Sequence, residues 1–338
     1  MNARELTDQI AAKLAAEVRR SGDIIPYIAE DGVYKTDMRQ KNLSWWTNGF
    51  WAGLLWQMYH AVGSAEFKTT AEKTEGWLDE AMADFTGLHH DVGFMWMLSA
   101  VADYRLTGNE KSRTRALHAA ALLAGRYNPN GRFLRAWNGD KTGWMIVDCL
   151  MNLSLLYWAS DETGDPRYAE IAQNHADTAL RVLLRPDGSC NHIAVLDPVT
   201  GELTGAPAGQ GYAPGSSWSR GQSWAVYGFA LSAKHTGEAR YLEAAKRSAH
   251  YFIANAAAHN WEPLVDFRAP ESPELLDMSA GAIAACGLLW SNWCEYKRSL
   301  GVEFGEYSLR QYRYAKEYYR YVQAEWANVG SEGETEHV

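Results

Sequence analysis

The chain is poor in several features that would each have signalled a function. Among its 338 residues there are four cysteines (Cys149, Cys190, Cys286 and Cys294), and no two of them form a C-x-x-C pair. Cys149 and Cys286 fall within apolar helical runs, so reduced, packed thiols are the expectation. There is no basic run and no RNA-binding signature, and the formal charge is −9, which argues against a nucleic-acid partner. An anionic ligand then needs a local cationic patch, because the net field opposes it. No apolar stretch is long enough to cross a membrane. The N-terminal MNARELTDQIAAKLAAEVRR alternates charged and small apolar residues where a secretory signal would carry an apolar core. The expected compartment is the cytoplasm. Also missing are G-x-S-x-G, a phosphate-binding Gly-rich loop and H-E-x-x-H, and strand patterning is sparse.

What the chain has is a repeat. Five times a polar-aromatic cluster leads into a long apolar helical stretch: SWWTNGFW (Ser44 to Trp51), HHDVGF (His89 to Phe94), GWMIVDCLMN (Gly143 to Asn152), SSWSRGQSW (Ser216 to Trp224) and LLDMSAGA (Leu275 to Ala282). Four of those stretches close on a turn with glycine at Gly63, Gly108, Gly164 or Gly237. That glycine falls 15 to 17 residues after Asn48, Asp91, Asp148 and Gln222. A glycine just past a helix end is the expected stop. More amphipathic stretches then begin at Phe67, Glu110, Tyr168 and Tyr241. The unit is therefore a helical hairpin, with an inner helix apolar nearly all round and an outer helix with one wet face. Residues 4 to 20 read as a further amphipathic helix. Short extended segments are expected around Arg132 to Arg135 and Ser189 to Leu196.

Inner helices wrapped by outer ones predict an all-α fold, a closed toroid of helix pairs in preference to an open solenoid. A closed ring gathers the inner-helix starts around one mouth, and the long connection from Leu184 to Ser217 fits a functional loop there. One domain is expected over residues 1–338, ending in an acidic, frayed tail, SEGETEHV.

Asp148 is the first candidate for chemistry. It lies among Met145, Ile146, Val147, Cys149, Leu150 and Met151, where a helix turning it inward would bury it, and a carboxylate in such a place is relieved by pairing or by holding a proton. A protonated Asp in a dry pocket is what a general acid requires. Its bland alternative is a helix cap. Asp91 occupies the equivalent place one repeat earlier, with the same alternative, and two facing carboxylates can divide labour. His89 and His90 flank it. Neighbouring helical positions diverge by about 100°, so a shared metal ion is not expected. Around the long loop lie His192, Gln210, Trp218, Arg220, Gln222 and Trp224. Arg220 could grip a carboxylate in a two-pronged hydrogen bond. Trp46, Trp137, Trp218 and Trp224 lie near the predicted mouth, where aromatic faces stack on sugar rings; singly, each fits a core position as well. Asp277 reads as a cap for the last inner helix. Paired-Asp acid/base chemistry on a carbohydrate is what remains.

WTNGFW at Trp46, HHDVGF at His89, VDCLMNL around Asp148, SSWSRGQSWAVYGF at Ser216 and DMSAGAIAA at Asp277 together resemble the unsaturated glucuronyl hydrolases of glycoside hydrolase family 88. The likeness runs in order from about residue 40 to 290. Related unsaturated rhamnogalacturonyl hydrolases of family 105 share the ring and the paired Asp. The resemblance implies an (α/α)6 barrel that hydrates the C4=C5 bond of a terminal unsaturated uronic acid, with no metal or organic cofactor. Its partner is then an unsaturated oligosaccharide left by a polysaccharide lyase. By the same resemblance Asp148 is the acid/base and Asp91 its partner. His90, Trp46, Trp137, His192, Gln210, Arg220 and Trp224 line the sugar pocket. Two departures stand out: Gly209 where relatives often have His before the equivalent of Gln210, and Pro214-Gly215 where they carry an acidic pair. Three rivals compete: an inverting glycosidase on saturated sugars, a sugar epimerase with a base on each face, and a non-catalytic glycan-binding toroid.

Overall fold

The computed structural model of the protein describes residues 3–270 and 272–299. Helix α1 (Ala3–Ser21) leads to a small hairpin, β1 (Ala29–Glu30) with β2 (Val33–Tyr34), and one turn of helix, α2 (Met38–Lys41). Helical hairpins follow. The first pairs α3 (Asn48–Val62) with α4 (Ala65–Asp84). The second has its inner helix in two pieces, α5 (Val92–Leu98) and α6 (Ala100–Thr107), before α7 (Glu110–Ala124). The hairpin of β3 (Tyr127–Asn128) and β4 (Phe133–Leu134) and the strand β5 (Trp144–Ile146) then lead into α8 (Cys149–Thr163) and α9 (Pro166–Val182). Strands β6 (Ile193–Leu196) and β7 (Leu203–Gly205) lie in the long connection. Helices α10 (Ser219–Thr236) and α11 (Ala239–Ala257) make the fourth pair, and α12 (Met278–Ser299) is the fifth inner helix.

Gly63, Gly108, Gly164 and Gly237 all sit at helix C-caps, with φ of 71°, 74°, 71° and 73°, each donating its N–H to the carbonyl four residues back. Only a residue free of Cβ adopts that left-handed conformation cheaply, which is why the repeat is punctuated there. Inner helices pack on one another in order, α3 on α5, α5 on α8, α8 on α10 and α10 on α12, with α4, α7, α9 and α11 outside them. This alternation is that of an all-α (α/α)6 barrel. Among the described residues the inner helices bound a central cavity of about 800 Å³, with Leu54, Met151, Trp224 and Trp290 on its walls.

Several local expectations change. The second inner helix breaks at Ser99, whose hydroxyl donates to the Met95 carbonyl at 2.6 Å and whose backbone lies outside the helical region. Met145 and Ile146 are not helical neighbours of Asp148 but belong to β5, which pairs antiparallel with β6. Cys149, Cys190 and Cys294 are buried free thiols as expected, whereas Cys286 is exposed, on the cavity wall. The tail SEGETEHV lies outside the described residues.

Away from the mouth, a buried polar network ties α3, α4, α6 and α7 together. Trp56 Nε1 donates to Glu75 Oε1 at 2.8 Å, and Ser112 Oγ lies 2.9 Å from Glu75 Oε2 and 2.5 Å from Asp103 Oδ2. One hydroxyl carries one proton, so Ser112 can donate to only one of the two carboxyls. The Arg115 guanidinium joins them, with Nη1 3.1 Å from Ser112 Oγ and 3.4 Å from Glu75 Oε2. Burial, and then the charge of Asp103, push Glu75 up to about 7.

Candidate active site

Asp91 and Asp148 both occupy the N-cap position of an inner helix, of α5 and α8, and neither carboxylate caps it. The capping alternative therefore fails for both side chains. Each points instead into a polar cluster at the mouth.

Asp91 is 8% exposed. His90 Nε2 lies 3.1 Å from its Oδ1 and Asn152 Nδ2 donates to Oδ1 at 3.2 Å, while His89 Nδ1, 3.4 Å from Oδ2, accepts the Asp91 backbone N–H at 3.5 Å. Asn152 cannot flip, because its Oδ1 accepts the Phe94 N–H at 2.6 Å. This contact needs α5 and α8 very close together, and Gly93 permits it: a Cβ there would overlap Asn152. On the far side of its ring, fully buried His90 uses Nδ1–H to donate to the Ala136 carbonyl at 2.8 Å. Nε2 then needs a proton of its own to bond Asp91. Burial works against the charge on both partners, yet the charge of Asp91 and its hydrogen bond hold His90 above its ordinary range, and His90 holds Asp91 below its own. Burial, followed by the charge of His90, pulls His89 down to about 4.

The expected divergence of His89 and His90 does not hold, because both precede α5. Their rings lie 5.2 Å apart at 32°, and with Asp91 they place ligand atoms within 4.8 Å of one another. In this structure, however, the Nε2 of His90 is directed at Asp91.

Asp148 is brought to His192 by the β5–β6 pairing, extended by Val147 N donating to the His192 carbonyl at 3.0 Å. His192 Nε2 lies 3.5 Å from Asp148 Oδ2, and both atoms are buried with no hydrogen-bond partner. On the opposite side of the ring, Nδ1 accepts the backbone N–H of Gln210 at 2.9 Å. Asn152 links the two carboxylates' surroundings, since its Nδ2 also approaches the Asp148 carbonyl at 3.5 Å.

The aromatic residues fall into two connected sets. Trp137 lies 6.4 Å from the His90 ring, 6.5 Å from His192 and 5.9 Å from Trp144, and Trp218 packs on His192 at 4.5 Å with the rings tilted by 51°. Trp46 packs on Phe50 and Phe94, and Phe94 packs on Trp224 at 5.3 Å. Arg220 lies over Trp218 at 5.1 Å, with Nε 3.5 Å from Asp277 and a terminal nitrogen 3.4 Å from Gln210 Oε1. Asp277 does cap α12, accepting from the backbone of Ser279 and Ala280. Gln222 is a structural residue, fully buried and bonded to Cys190 N and to the carbonyls of Gly188 and Ser248. Of the eight predicted binding positions, His90 and His192 lie nearest the two carboxylates, Trp137 and Trp218 pack on those histidines, Gln210 bonds His192 through its backbone, Arg220 reaches Gln210, and Trp46 and Trp224 pack on Phe94. Sequence reasoning passed over Asn152, although its place one helical turn after Asp148 was a readable signal.

The model of Glycosyl Hydrolase Family 88 matches residues 24–266, and the chain belongs to that family. It is 39% identical over 284 residues to the unsaturated glucuronyl hydrolase of Bacillus sp. (strain GL1), a match covering 81% of this chain and 74% of that one. Against the unsaturated chondroitin disaccharide hydrolase of Streptococcus pyogenes serotype M1 it is 36% identical over 250 residues, covering 72% of this chain and 62% of that protein's length. The crystal structure of the Bacillus sp. GL1 enzyme, described as responsible for the degradation of glycosaminoglycan, superposes with a TM-score of 0.81 at 34% identity. That superposition covers 93% of this chain and 82% of the other.

Proposed function

We propose that this protein removes the terminal Δ4,5-unsaturated glucuronic acid from lyase-generated oligosaccharides, glycosaminoglycan fragments among them, by hydrating the C4=C5 bond. The observation that carries the reading is a carboxyl group, Asp148, placed at a helix start without capping it and set between His192 and the Asp91–Asn152 network.

The C4=C5 bond is an enol ether, because the ring oxygen is attached to C5. Asp148 gives its proton to C4, and positive charge develops at C5 and the ring oxygen. Water adds to C5 as Asp148, now a carboxylate, takes back a proton, so that one group serves as acid and then base. The resulting hemiketal opens, and the neighbouring sugar leaves from C1. Asp91, kept ionised by His90, stabilises the positive charge and orients the substrate. Trp46, Trp137, Trp218 and Trp224 supply apolar faces for the sugar rings, and Gln210 and Arg220 supply polar contacts at the rim. No helix among the described residues is long and apolar enough to cross a membrane. The four free thiols accord with work in the reducing cytoplasm on imported oligosaccharides.

The test follows the ultraviolet absorbance of unsaturated glucuronyl and galacturonyl disaccharides over time. Hydration destroys the conjugated chromophore. Loss of signal with the wild type and none with Asp148→Asn is the expected result. Loss on galacturonyl–rhamnose substrates alone would move the chain to the rhamnogalacturonyl specificity, and cleavage of saturated substrates would point to an inverting glycosidase.

A further inference from the structure

We propose that Asp266 is a positioning residue, which fixes the rim loop of residues 208–217 so that Gln210 is held in place for substrate at the mouth. This rests on the reading of the mouth as the substrate site. Asp266 is 3% exposed. Its Oδ2 accepts the Tyr212 N–H at 2.9 Å and the Ser216 hydroxyl at 2.7 Å. Its Oδ1 accepts the N–H groups of Ser217 at 3.0 Å and Arg268 at 2.9 Å. A carboxylate has about four acceptor sites, and here all are used. Tyr212, Ser216 and Ser217 belong to the loop, so most of this buried charge is answered by it.

The anchor is itself held. Asp266 forms an antiparallel bridge with Trp218, in which Phe267 N donates to the Ser217 carbonyl at 2.9 Å and Ser219 N to that of Val265 at 3.0 Å. Trp218 opens α10, so one residue ties the loop to the start of an inner helix. Loop carbonyls are held too, that of Gly215 by Arg185 and Arg268 at 2.9 Å each. Gly211 shows how closely the loop approaches: a Cβ there would lie 2.7 Å from Ser216 Oγ and 3.1 Å from Asp266 Oδ2.

The other end of the loop meets the site. Gln210 N donates to His192 Nδ1 at 2.9 Å, and Gln210 Oε1 lies 3.4 Å from a terminal nitrogen of Arg220. An exposed loop tied to a buried anchor is a preformed wall, which substrate does not have to order on binding. Asp91 and Asp148 stand on other elements, at the starts of α5 and α8. Loss of the anchor therefore weakens binding and leaves proton transfer in place. Asp266→Asn keeps the shape, but its single oxygen can face only one pair of donors. With that oxygen toward Ser217 and Arg268, the amide N–H is set against the Tyr212 N–H, and that bond is lost.

The experiment combines amide hydrogen exchange of the substrate-free protein with steady-state kinetics on an unsaturated disaccharide. The wild type is expected to protect the Tyr212 amide, and Asp266→Asn to release it with the amides of α8 unchanged. KM should rise on the order of 10-fold, with kcat within about twofold. In a Gln210→Ala background the same change should move KM by less than about twofold, because both act through one contact. Ser216→Ala removes a single donor and should act in the same direction, more weakly; it takes over the test if Asp266→Asn does not fold. A rapidly exchanging Tyr212 amide in the wild type overturns the proposal and leaves the reading of the site standing. An unchanged KM, or a full effect of Asp266→Asn in the Gln210→Ala background, overturns it as well. A protected Tyr212 amide in a protein that consumes no unsaturated disaccharide overturns the reading of the site, and the role of Asp266 in binding falls with it.

Discussion

Two outer helices, α7 and α9, and two inner helices, α5 and α8, begin with the same kinds of residue and use them in opposite ways. On the outer ring, Asn109 accepts from Lys111 N at 3.1 Å and Asp165 from Arg167 N at 2.9 Å, so the side chain satisfies the helix that follows. On the inner ring, Asp91 and Asp148 stand at the same position and leave their helices uncapped. The Asp91 carboxylate lies against His90 and Asn152 instead, and that of Asp148 lies 3.5 Å from His192. Asn109 and Asp165 serve stability. Asp91 and Asp148 give up a local stabilisation that Asp277, at the start of α12, keeps, and their carboxylates stay available for chemistry, as functional sites commonly do.

Substitution at the two kinds of start should separate these roles. Asp148→Asn is expected to reduce kcat on the order of 10³-fold or more while leaving the melting temperature unchanged or slightly higher, because no cap is lost. A parallel fall in melting temperature would mean that Asp148 supports the fold after all. Next in size is a control far from the mouth. Burial, and then the charge of Asp103, push Glu75 up to about 7 in the folded chain from an ordinary 4.5. Between those values the folded chain keeps a proton that the unfolded chain has released, so stability falls as pH rises through the window and stays low above it. Glu75→Gln should remove that fall, worth on the order of 3 kcal/mol, in urea unfolding compared at pH 4 and pH 8. Asn152→Ala leaves the Phe94 N–H unpaired and one lone pair of Asp91 unanswered; it should cost about 2 kcal/mol of stability and also lower kcat, which denaturation and steady-state kinetics would read separately. The smallest effect is expected at the outer ring, where Asp165→Ala should cost about 1 kcal/mol in chemical denaturation with kcat untouched. A change in kcat there would erase the distinction between the layers.

The parts of the fold that were legible in the sequence are those set by local rules. Glycine at Gly63, Gly108, Gly164 and Gly237 marked four helix ends correctly because a left-handed C-cap is decided by the residue itself. The same spacing located both carboxylates. What sequence reasoning missed depends on distant partners. The apolar residues before Asp148 read as helix, yet they form a strand because β6, far along the chain, offers them an edge. The break at Ser99 and the role of Asn152 come from packing between helices. The substrate was never legible in composition or periodicity; it came from the family resemblance, which the match over residues 24–266 supports.

The inner helices have a consequence for how substrate arrives. The first turns of α3, α5, α8, α10 and α12 gather at one mouth, and each helix start carries roughly half a positive charge. The chain as a whole carries a formal charge of −9. An anionic uronate approaching from solution is thus repelled at long range and attracted over the last few ångströms. Dissolved ions screen the first field with a Debye length of about 8 Å at physiological ionic strength and hardly reach the second. Added salt, which slows most encounters between opposite charges, should therefore speed this one, and kcat/KM should climb from low ionic strength toward the physiological range.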